Sequence, residues 1–149
     1  MFDEFKYFTK TPSYYTSNAA YIPNFRASKI TLPPQVKSIQ QVGIGAGSTR
    51  KVVINEGMLS MKSGLRGIGC YLLDVSSTVT LFSPYVGYQV SNLTVIMRPT
   101  TPPATDNSYP AQFKPVAIYV PDESLDLYME SSYWATWKTK FKPLSEYTG

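Results

Sequence analysis

Residues 67–82 read GIGCYLLDVSSTVTLF and contain the pattern on which the fold prediction rests. An apolar run over Gly67–Val75 is followed by the turn-forming pair Ser76-Ser77 and then by Thr78–Phe82, in which Thr and apolar residues alternate. Alternation with a period of two places polar and apolar side chains on opposite faces of a strand. The stretch therefore predicts two strands joined by a turn, the second with one buried face and one solvated face.

The same pattern of strands and turns extends in both directions, over residues 35–121. The further predicted strands are Gln35–Val42, Arg50–Asn55, Met58–Lys62, Val86–Val90, Leu93–Arg98 and Pro115–Val120. Seven or eight short strands at near-regular spacing are typical of a β-sandwich or barrel. We find no internal sequence repeat. The sequence therefore predicts a mainly β domain over 35–121, an antiparallel β-sandwich or barrel that could be jelly-roll-like.

Residues 1–34 differ from this domain because aromatic residues recur there among prolines that break helices. So many aromatic side chains are unusual in a free disordered tail. We predict an extended N-terminal arm that packs on its own domain or on a neighbouring subunit. The candidate interface residues of the arm are Phe5, Tyr7, Phe8, Tyr14, Tyr15, Tyr21 and Phe25.

The C-terminal segment 122–149 carries the one clear helical pattern. Apolar residues fall at helical spacing from Leu125 to Phe141, and Pro143 would end the helix. We predict a single α-helix over 122–142. Trp134 and Trp137 on this helix are further interface candidates; a platform for a sugar or a base is less favoured than core packing or a protein contact.

The residue types present exclude most common catalytic chemistries. The chain has no histidine, which excludes Ser-His-Asp triads and His-ligated zinc, and one cysteine, which excludes zinc ribbons and iron–sulfur clusters. We expect Cys70, inside an apolar run, to be a buried and unreactive thiol. Glu56 and Asp74 would form a glycosidase-type pair only if the fold placed them across one cleft. We predict no catalytic residues, no metal and no cofactor.

The formal net charge of +4 indicates a mildly basic protein. Gly43–Lys51 is rich in glycine but lacks the GxxxxGK[ST] pattern of a phosphate-binding loop, so we expect a flexible turn there. Arg50, Lys51 and Arg66 are weak candidates for contact with an anion. These residues and the cations of the arm could form a basic face with interleaved aromatic residues, which keeps a nucleic-acid-binding barrel as an alternative.

Composition and architecture together predict a non-catalytic structural protein of a macromolecular assembly. The preferred form is a small bacteriophage virion protein (capsid, capsid-decoration or minor capsid) that contacts neighbouring subunits through the N-terminal arm. A carbohydrate-binding β-sandwich, for example in a fibre, is the other alternative. Since no signal peptide or membrane-spanning apolar run is visible, we expect cytoplasmic synthesis and residence in a virion.

Overall fold

The computed structural model describes residues 25–31, 38–40, 47–62, 68–82, 92–105 and 113–149. The strands are β1 (Phe25–Thr31), β2 (Ser38–Gln40), β3 (Gly47–Val53), β4 (Ser60–Lys62), β5 (Ile68–Val75), β6 (Leu81–Phe82), β7 (Leu93–Met97), β8 (Pro115–Val120) and β9 (Phe141–Pro143). The helical elements are α1 (Leu125–Glu130) and the 3₁₀ segments Asp122–Ser124, Trp134–Lys140 and Leu144–Glu146.

These strands form two sheets in which every described pairing is parallel. The larger sheet has the order β1-β3-β5-β7-β8-β9, and the smaller has the order β2-β4-β6. Up to β7, successive strands alternate between the two sheets, so the described part of the chain winds as a coil, a parallel β-solenoid, which includes the short helix α1. The predicted antiparallel β-sandwich, barrel or jelly roll is wrong, because the described strands make no antiparallel pair.

The error lies in the interpretation of the turns. Turns occur at Glu56-Gly57 and Ser77-Thr78, close to the predicted positions. A hairpin would pair the two strands that flank such a turn. Here β3 and β4 flank the first turn, yet β3 pairs with β1 and β5, whereas β4 pairs with β2 and β6. The turn therefore directs the chain into the other sheet.

One circuit of the coil takes 21 to 23 residues, as the in-register pairs of the larger sheet show. The buried residues of one column across this sheet are Val52, Leu73, Val95, Ile118 and Phe141. A parallel bridge from Leu81 to Ala104 continues the smaller sheet at the same interval. The chain thus has an internal structural repeat that we missed in the sequence, because the repeat preserves apolar character and not residue identity.

Equivalent turns of consecutive circuits lie side by side. The turns 55–58 and 76–79 are each closed by a backbone hydrogen bond between their first and fourth residues, at 3.2 and 3.4 Å. The Thr78 hydroxyl joins them, since it accepts a hydrogen bond from the Gly57 N–H and donates one to the Met58 carbonyl, both at 2.8 Å. Side-chain bonds of this kind fix the register between circuits.

Both sheets fill a single apolar core. Met61 and Phe82 of the smaller sheet belong to the same buried cluster as the column of the larger sheet. Side chains alternate along a strand, so the residues directly before and after each column residue point to the outer face of the larger sheet. Lys51 and Asp74 lie on this outer face.

The predicted single helix over 122–142 is wrong. α1 ends at Glu130, since Ser131 has an extended conformation (φ −62°, ψ 125°). The 3₁₀ segment that follows is itself interrupted at Trp137 (φ −109°, ψ 23°), and residues 141–143 form β9. Helical spacing is a weak prior that tertiary packing overrides, and here the aromatic side chains are held by the core.

An aromatic cluster joins side chains of the last circuit, from α1 to β9, with Phe82 of β6 and with Phe113, which precedes β8. We call it the aromatic cap, and its members are Phe82, Phe113, Tyr128, Trp134, Trp137 and Phe141. The ring centroids of Phe82 and Trp134 are 5.5 Å apart, and those of Phe113 and Trp137 are 5.1 Å apart in an edge-to-face arrangement. The cap thus covers the core where the smaller sheet ends.

The polar atoms of the aromatic cap are hydrogen-bonded to backbone carbonyls. The Tyr128 hydroxyl donates to Pro99 O at 2.9 Å, and Trp134 Nε1 donates to Pro103 O at 2.8 Å. Trp137 Nε1 likewise donates to Phe113 O at 3.1 Å. Because buried donors without partners are costly, these bonds let large amphipathic rings serve as core residues while they tie the cap to the chain before it.

The larger sheet includes strands from all three predicted ranges, 1–34, 35–121 and 122–149. β1 lies within the range assigned to the arm, and β9 lies within the C-terminal range, yet both strands belong to the larger sheet. Residues 1–24 and the predicted strand over 86–90 lie outside the described residues.

Candidate functional site

A three-residue ion cluster lies on the outer face of the larger sheet. Asp74 on β5 accepts two hydrogen bonds from Arg98, from Nε to Oδ1 at 2.7 Å and from Nη2 to Oδ2 at 3.1 Å. Lys51 on β3 places its Nζ 3.3 Å from Asp74 Oδ2. The side chain of Asp74 is 9% exposed, whereas those of Lys51 and Arg98 are 36% and 44% exposed. One carboxylate thus links three neighbouring circuits.

The charge state of this cluster follows from two opposing effects. Burial alone would raise the pKa of Asp74, but the hydrogen bonds and positive charge of Arg98, with the charge of Lys51, hold the pKa below its ordinary value. The same contacts with Asp74 raise the pKa of Arg98. Asp74 is therefore ionised at neutral pH and is poorly suited to donate or accept a proton there. The cluster joins neighbouring strands of the sheet, and its two cations and one carboxylate leave one unit of excess positive charge.

The other carboxylate considered for catalysis has a separate role. Glu56 accepts hydrogen bonds from the Ser77 N–H at 3.2 Å and from the Ser77 hydroxyl at 2.9 Å. It thereby joins two stacked turns, while Asp74 is engaged by Arg98. Within the described residues, no group of three or more His, Cys, Asp or Glu side chains is placed to hold a metal ion.

Cys70 lies in the core, as expected from its apolar surroundings. Its side chain is buried in the cluster shared by the two sheets. Burial raises the pKa of the thiol to about 12. Since the thiolate is the reactive form, Cys70 is a packing residue in the folded chain.

Three exposed side chains lie on β3, β5 and β8, near one level of the larger sheet, and the β7 residue at this level, Leu93, is buried. Arg50 and Tyr71 face each other across neighbouring strands, since the residues on either side of them are in register. Val116 is the extra residue at a register shift between β7 and β8, and it follows Pro115, which pairs with Leu93. Tyr71 is 62% exposed and Val116 is 47% exposed. We call Arg50, Tyr71 and Val116 the corner ridge.

The structure places the predicted site residues in different surroundings. Trp134 and Trp137 are buried in this chain's own core. Arg50 is exposed on the corner ridge, and Lys51, the next residue, is engaged with Asp74. Phe25 is the first residue of β1. The remaining candidates lie outside the described residues: Phe5, Tyr7, Phe8, Tyr14, Tyr15, Tyr21 and Arg66.

A shallow groove lined by prolines and by residues with hydroxyl groups separates two segments near the aromatic cap. Its volume is about 580 Å³. One wall is Pro102–Thr105, and the other consists of Ser131, Ser132, Tyr133 and Thr136. We call this the hydroxyl groove. Sequence analysis missed it, because Ser, Thr and Pro are ordinary loop residues and no pattern links segments that far apart in the chain.

No protein-family model matches the chain, and a search of curated proteins gives no match. In the part of the chain that the structure describes, no helix has the length and apolar character needed to cross a membrane. None of these findings supports the bacteriophage, virion or capsid role suggested by composition, and the β-sandwich assumed with it is contradicted by the parallel sheets.

Proposed function

We propose that the chain is a non-catalytic structural subunit of a macromolecular assembly and that it contacts other copies of itself. The observation that carries this proposal is the corner ridge, where Tyr71 exposes apolar surface beside Arg50 and Val116 exposes more of it two strands away on β8. Tyr and Arg are enriched in protein–protein interfaces, where they supply much of the binding energy. A virion or capsid role is not part of the proposal.

The coil itself supports a structural role. Each circuit contacts its neighbours through in-register strands, so the larger sheet is a rigid surface built from repeated units. The ion cluster and the stacked turns bond successive circuits to each other on the outside of the core. Such a body presents side chains at fixed spacing, which favours a partner that binds along several circuits.

The environment of Asp74 supports the non-catalytic part of this proposal. It is the most deeply buried acid among the described residues, and its charge is neutralised by Arg98 and Lys51. A carboxylate held ionised in this way lacks the matched pKa that general acid–base chemistry requires. We therefore assign it to stability.

The first test compares two exposed apolar residues in different places. Tyr71→Ser removes the centre of the corner ridge, and Leu127→Ser changes a residue of α1 that is 54% exposed and lies outside the ridge. Light scattering at several concentrations should show an oligomer for the parent chain and for Leu127→Ser, and a smaller species for Tyr71→Ser. A parent chain that is monomeric at every concentration would contradict the proposal.

The predicted assembly role of the N-terminal arm needs its own deletion. Because β1 begins at Phe25, removal of residues 1–32 would also remove a strand of the larger sheet. Deletion of residues 1–24 leaves this strand in place and tests the arm alone. We expect this variant to fold, with an unchanged circular dichroism spectrum, and to lose mass in light scattering. A folded variant that assembles normally would show that the arm has no assembly role.

Nucleic-acid binding is the alternative function that exposed cationic residues support. Arg50 is exposed, and Lys51 and Arg98 outnumber the one carboxylate between them. Neutralisation of phosphates makes such binding fall steeply with salt. Binding of a labelled oligonucleotide that weakens between 50 and 200 mM salt (roughly 10³-fold or more for six or more phosphate contacts), and that Arg50→Ala reduces, would favour this alternative.

A further inference from the structure

The hydroxyl groove combines two kinds of surface that a sugar ring also carries. Ser131, Ser132 and Thr136 supply hydroxyl groups, each of which can donate one hydrogen bond and accept two. Pro102 and Pro103 supply apolar faces on the opposite wall. Saccharides likewise present hydroxyl groups at their edges and C–H groups on their faces, which pack against apolar and aromatic surfaces.

The charge of the groove restricts the class of ligand. Its described lining residues are Pro, Ala, Thr, Ser and Tyr, and none of them is ionisable near neutral pH. A site for phosphate, sulfate or a uronic acid would place Arg or Lys against the anion. Lys51 and Arg98, the two cations of the ion cluster, lie instead on the outer face of the larger sheet.

Both walls of the groove are fixed by the fold. Trp134 Nε1 donates to Pro103 O at 2.8 Å and so ties the proline wall to the aromatic cap. Ala104, on the same wall, exchanges backbone hydrogen bonds of 2.9 Å with Thr80 and Phe82 of the neighbouring circuit. Little ordering is therefore needed when a ligand binds, which favours affinity.

The opposite wall is held by aromatic packing and by its own backbone. The Tyr133 ring packs edge-to-face on Trp134, with centroids 5.7 Å apart and an interplanar angle of 86°. The Ala135 N–H donates to Ser131 O at 2.8 Å, so the turn that presents the serines is closed. The break between α1 and the 3₁₀ segment thus has a defined shape, and its residues Ser131 and Ser132 line the groove.

We propose that the hydroxyl groove binds an uncharged saccharide, such as a unit of a neutral oligosaccharide chain. Its volume of about 580 Å³ falls in the range of roughly 300–1,000 Å³ typical of small-molecule sites. The groove opens widely to solvent, so a longer chain can extend beyond the segment that it holds. The site is separate from the corner ridge, and its function does not depend on self-assembly.

The test uses the full-length chain and a defined panel of probes. Oligosaccharides of neutral glucan, mannan, xylan, galactan and chitin are compared with the polyanion polygalacturonate by isothermal titration calorimetry. We expect binding to at least one neutral probe and none to polygalacturonate at physiological salt. Absence of binding to every neutral probe, or binding to the polyanion alone, would overturn the proposal.

Matched variants then locate the binding site. Thr136 and Thr139 are both exposed on the same 3₁₀ segment, but only Thr136 lines the groove. Thr136→Val removes one hydroxyl at nearly constant shape and should weaken binding about 2- to 10-fold, the equivalent of one hydrogen bond. Thr139→Val should leave the affinity unchanged. Equal effects of the two substitutions would overturn the assignment.

A steric variant gives a larger expected effect. Ser132 is exposed, so Ser132→Trp should fold normally while its side chain fills the groove. We expect at least a tenfold loss of affinity for the neutral probe, with Thr139→Trp as the control for an added surface indole. Thermal melting of each variant verifies folding. Retained affinity in a folded Ser132→Trp would place the saccharide elsewhere and contradict the proposal.

Discussion

The coil and the aromatic cap bury apolar surface in different ways. Along the coil, aliphatic side chains such as Val52, Leu73 and Val95 stack in register, and each circuit repeats the contribution of the one before. In the cap, a few large rings pack against each other, and their N–H and O–H groups bond to backbone carbonyls. Stability should therefore be spread evenly over the coil and concentrated in single residues of the cap.

The largest effect expected from this comparison is in the cap. Trp134 is 1% exposed and contacts both aromatic neighbours and Pro103 O. Trp134→Ala should lower the free energy of unfolding by about 3–5 kcal/mol, because it opens a cavity and leaves a buried carbonyl without its donor. Urea denaturation measures this loss. Trp134→Phe keeps an aromatic ring and loses the N–H, so it should cost less; an equal cost would mean that packing contributes little.

A substitution in the middle of the coil tests the other half of the comparison. Leu73 is fully buried between Val52 and Val95. Leu73→Ala should cost about 2–4 kcal/mol, below the effect of Trp134→Ala, because a smaller side chain leaves a smaller cavity. The exposed Leu127 provides the control, since Leu127→Ala should stay within about 0.5 kcal/mol of the parent chain. A larger loss at Leu73 than at Trp134 would reverse the comparison.

The contrast between coil and cap also shows what the sequence could predict. The strand Pro115–Val120 is found as predicted, and Leu93–Arg98 is one residue too long. Which strands pair with each other was not predictable in the same way. Alternation in Thr78–Phe82 shows that one face of the strand is buried, but it does not show which strand lies next to it. The repeat escaped detection since column residues such as Val52 and Leu73 share only their apolar character.

The ion cluster and the corner ridge could not be predicted from the sequence, because both depend on a repeat that was not detected. Once a period of 21 to 23 residues is known, Lys51, Asp74 and Arg98 fall on neighbouring circuits and their ion cluster becomes foreseeable. Tyr71 gave no signal by itself, because an apolar run predicts burial for all its members. The hydroxyl groove lies between the coil and an irregular segment, and such a contact follows from tertiary packing alone.

The ion cluster should add a smaller, pH-dependent contribution to the stability of the coil. Asp74→Asn should cost about 1–2 kcal/mol at neutral pH, at the lower end for a charged hydrogen bond because Lys51 and Arg98 are partly exposed. The pKa of Asp74 is lower in the folded chain than its ordinary value. Its stabilising effect is thus complete above the unfolded pKa of about 3.9 and is lost as the pH falls through the folded pKa.

Urea denaturation from pH 7 to pH 2 measures this contribution. The difference between the parent chain and Asp74→Asn should be constant from pH 7 to about pH 5 and should shrink at lower pH. Glu123→Gln, at an exposed carboxylate of the first 3₁₀ segment, serves as the control. A difference that persists unchanged at pH 2 would show that the cluster does not stabilise the fold through the charge of Asp74.

An effect of about the same size as that of Asp74→Asn concerns the turn that passes the chain from one sheet to the other. Gly57 has a φ of 89°, a conformation that residues with a Cβ rarely adopt. Gly57→Ala should therefore cost about 1–2 kcal/mol, and Gly57→Asn should cost less, because Asn tolerates positive φ. Thermal denaturation of both variants tests this order. If the two cost the same, the positive φ of residue 57 does not account for the loss, because both variants keep the backbone N–H that donates to the Thr78 hydroxyl.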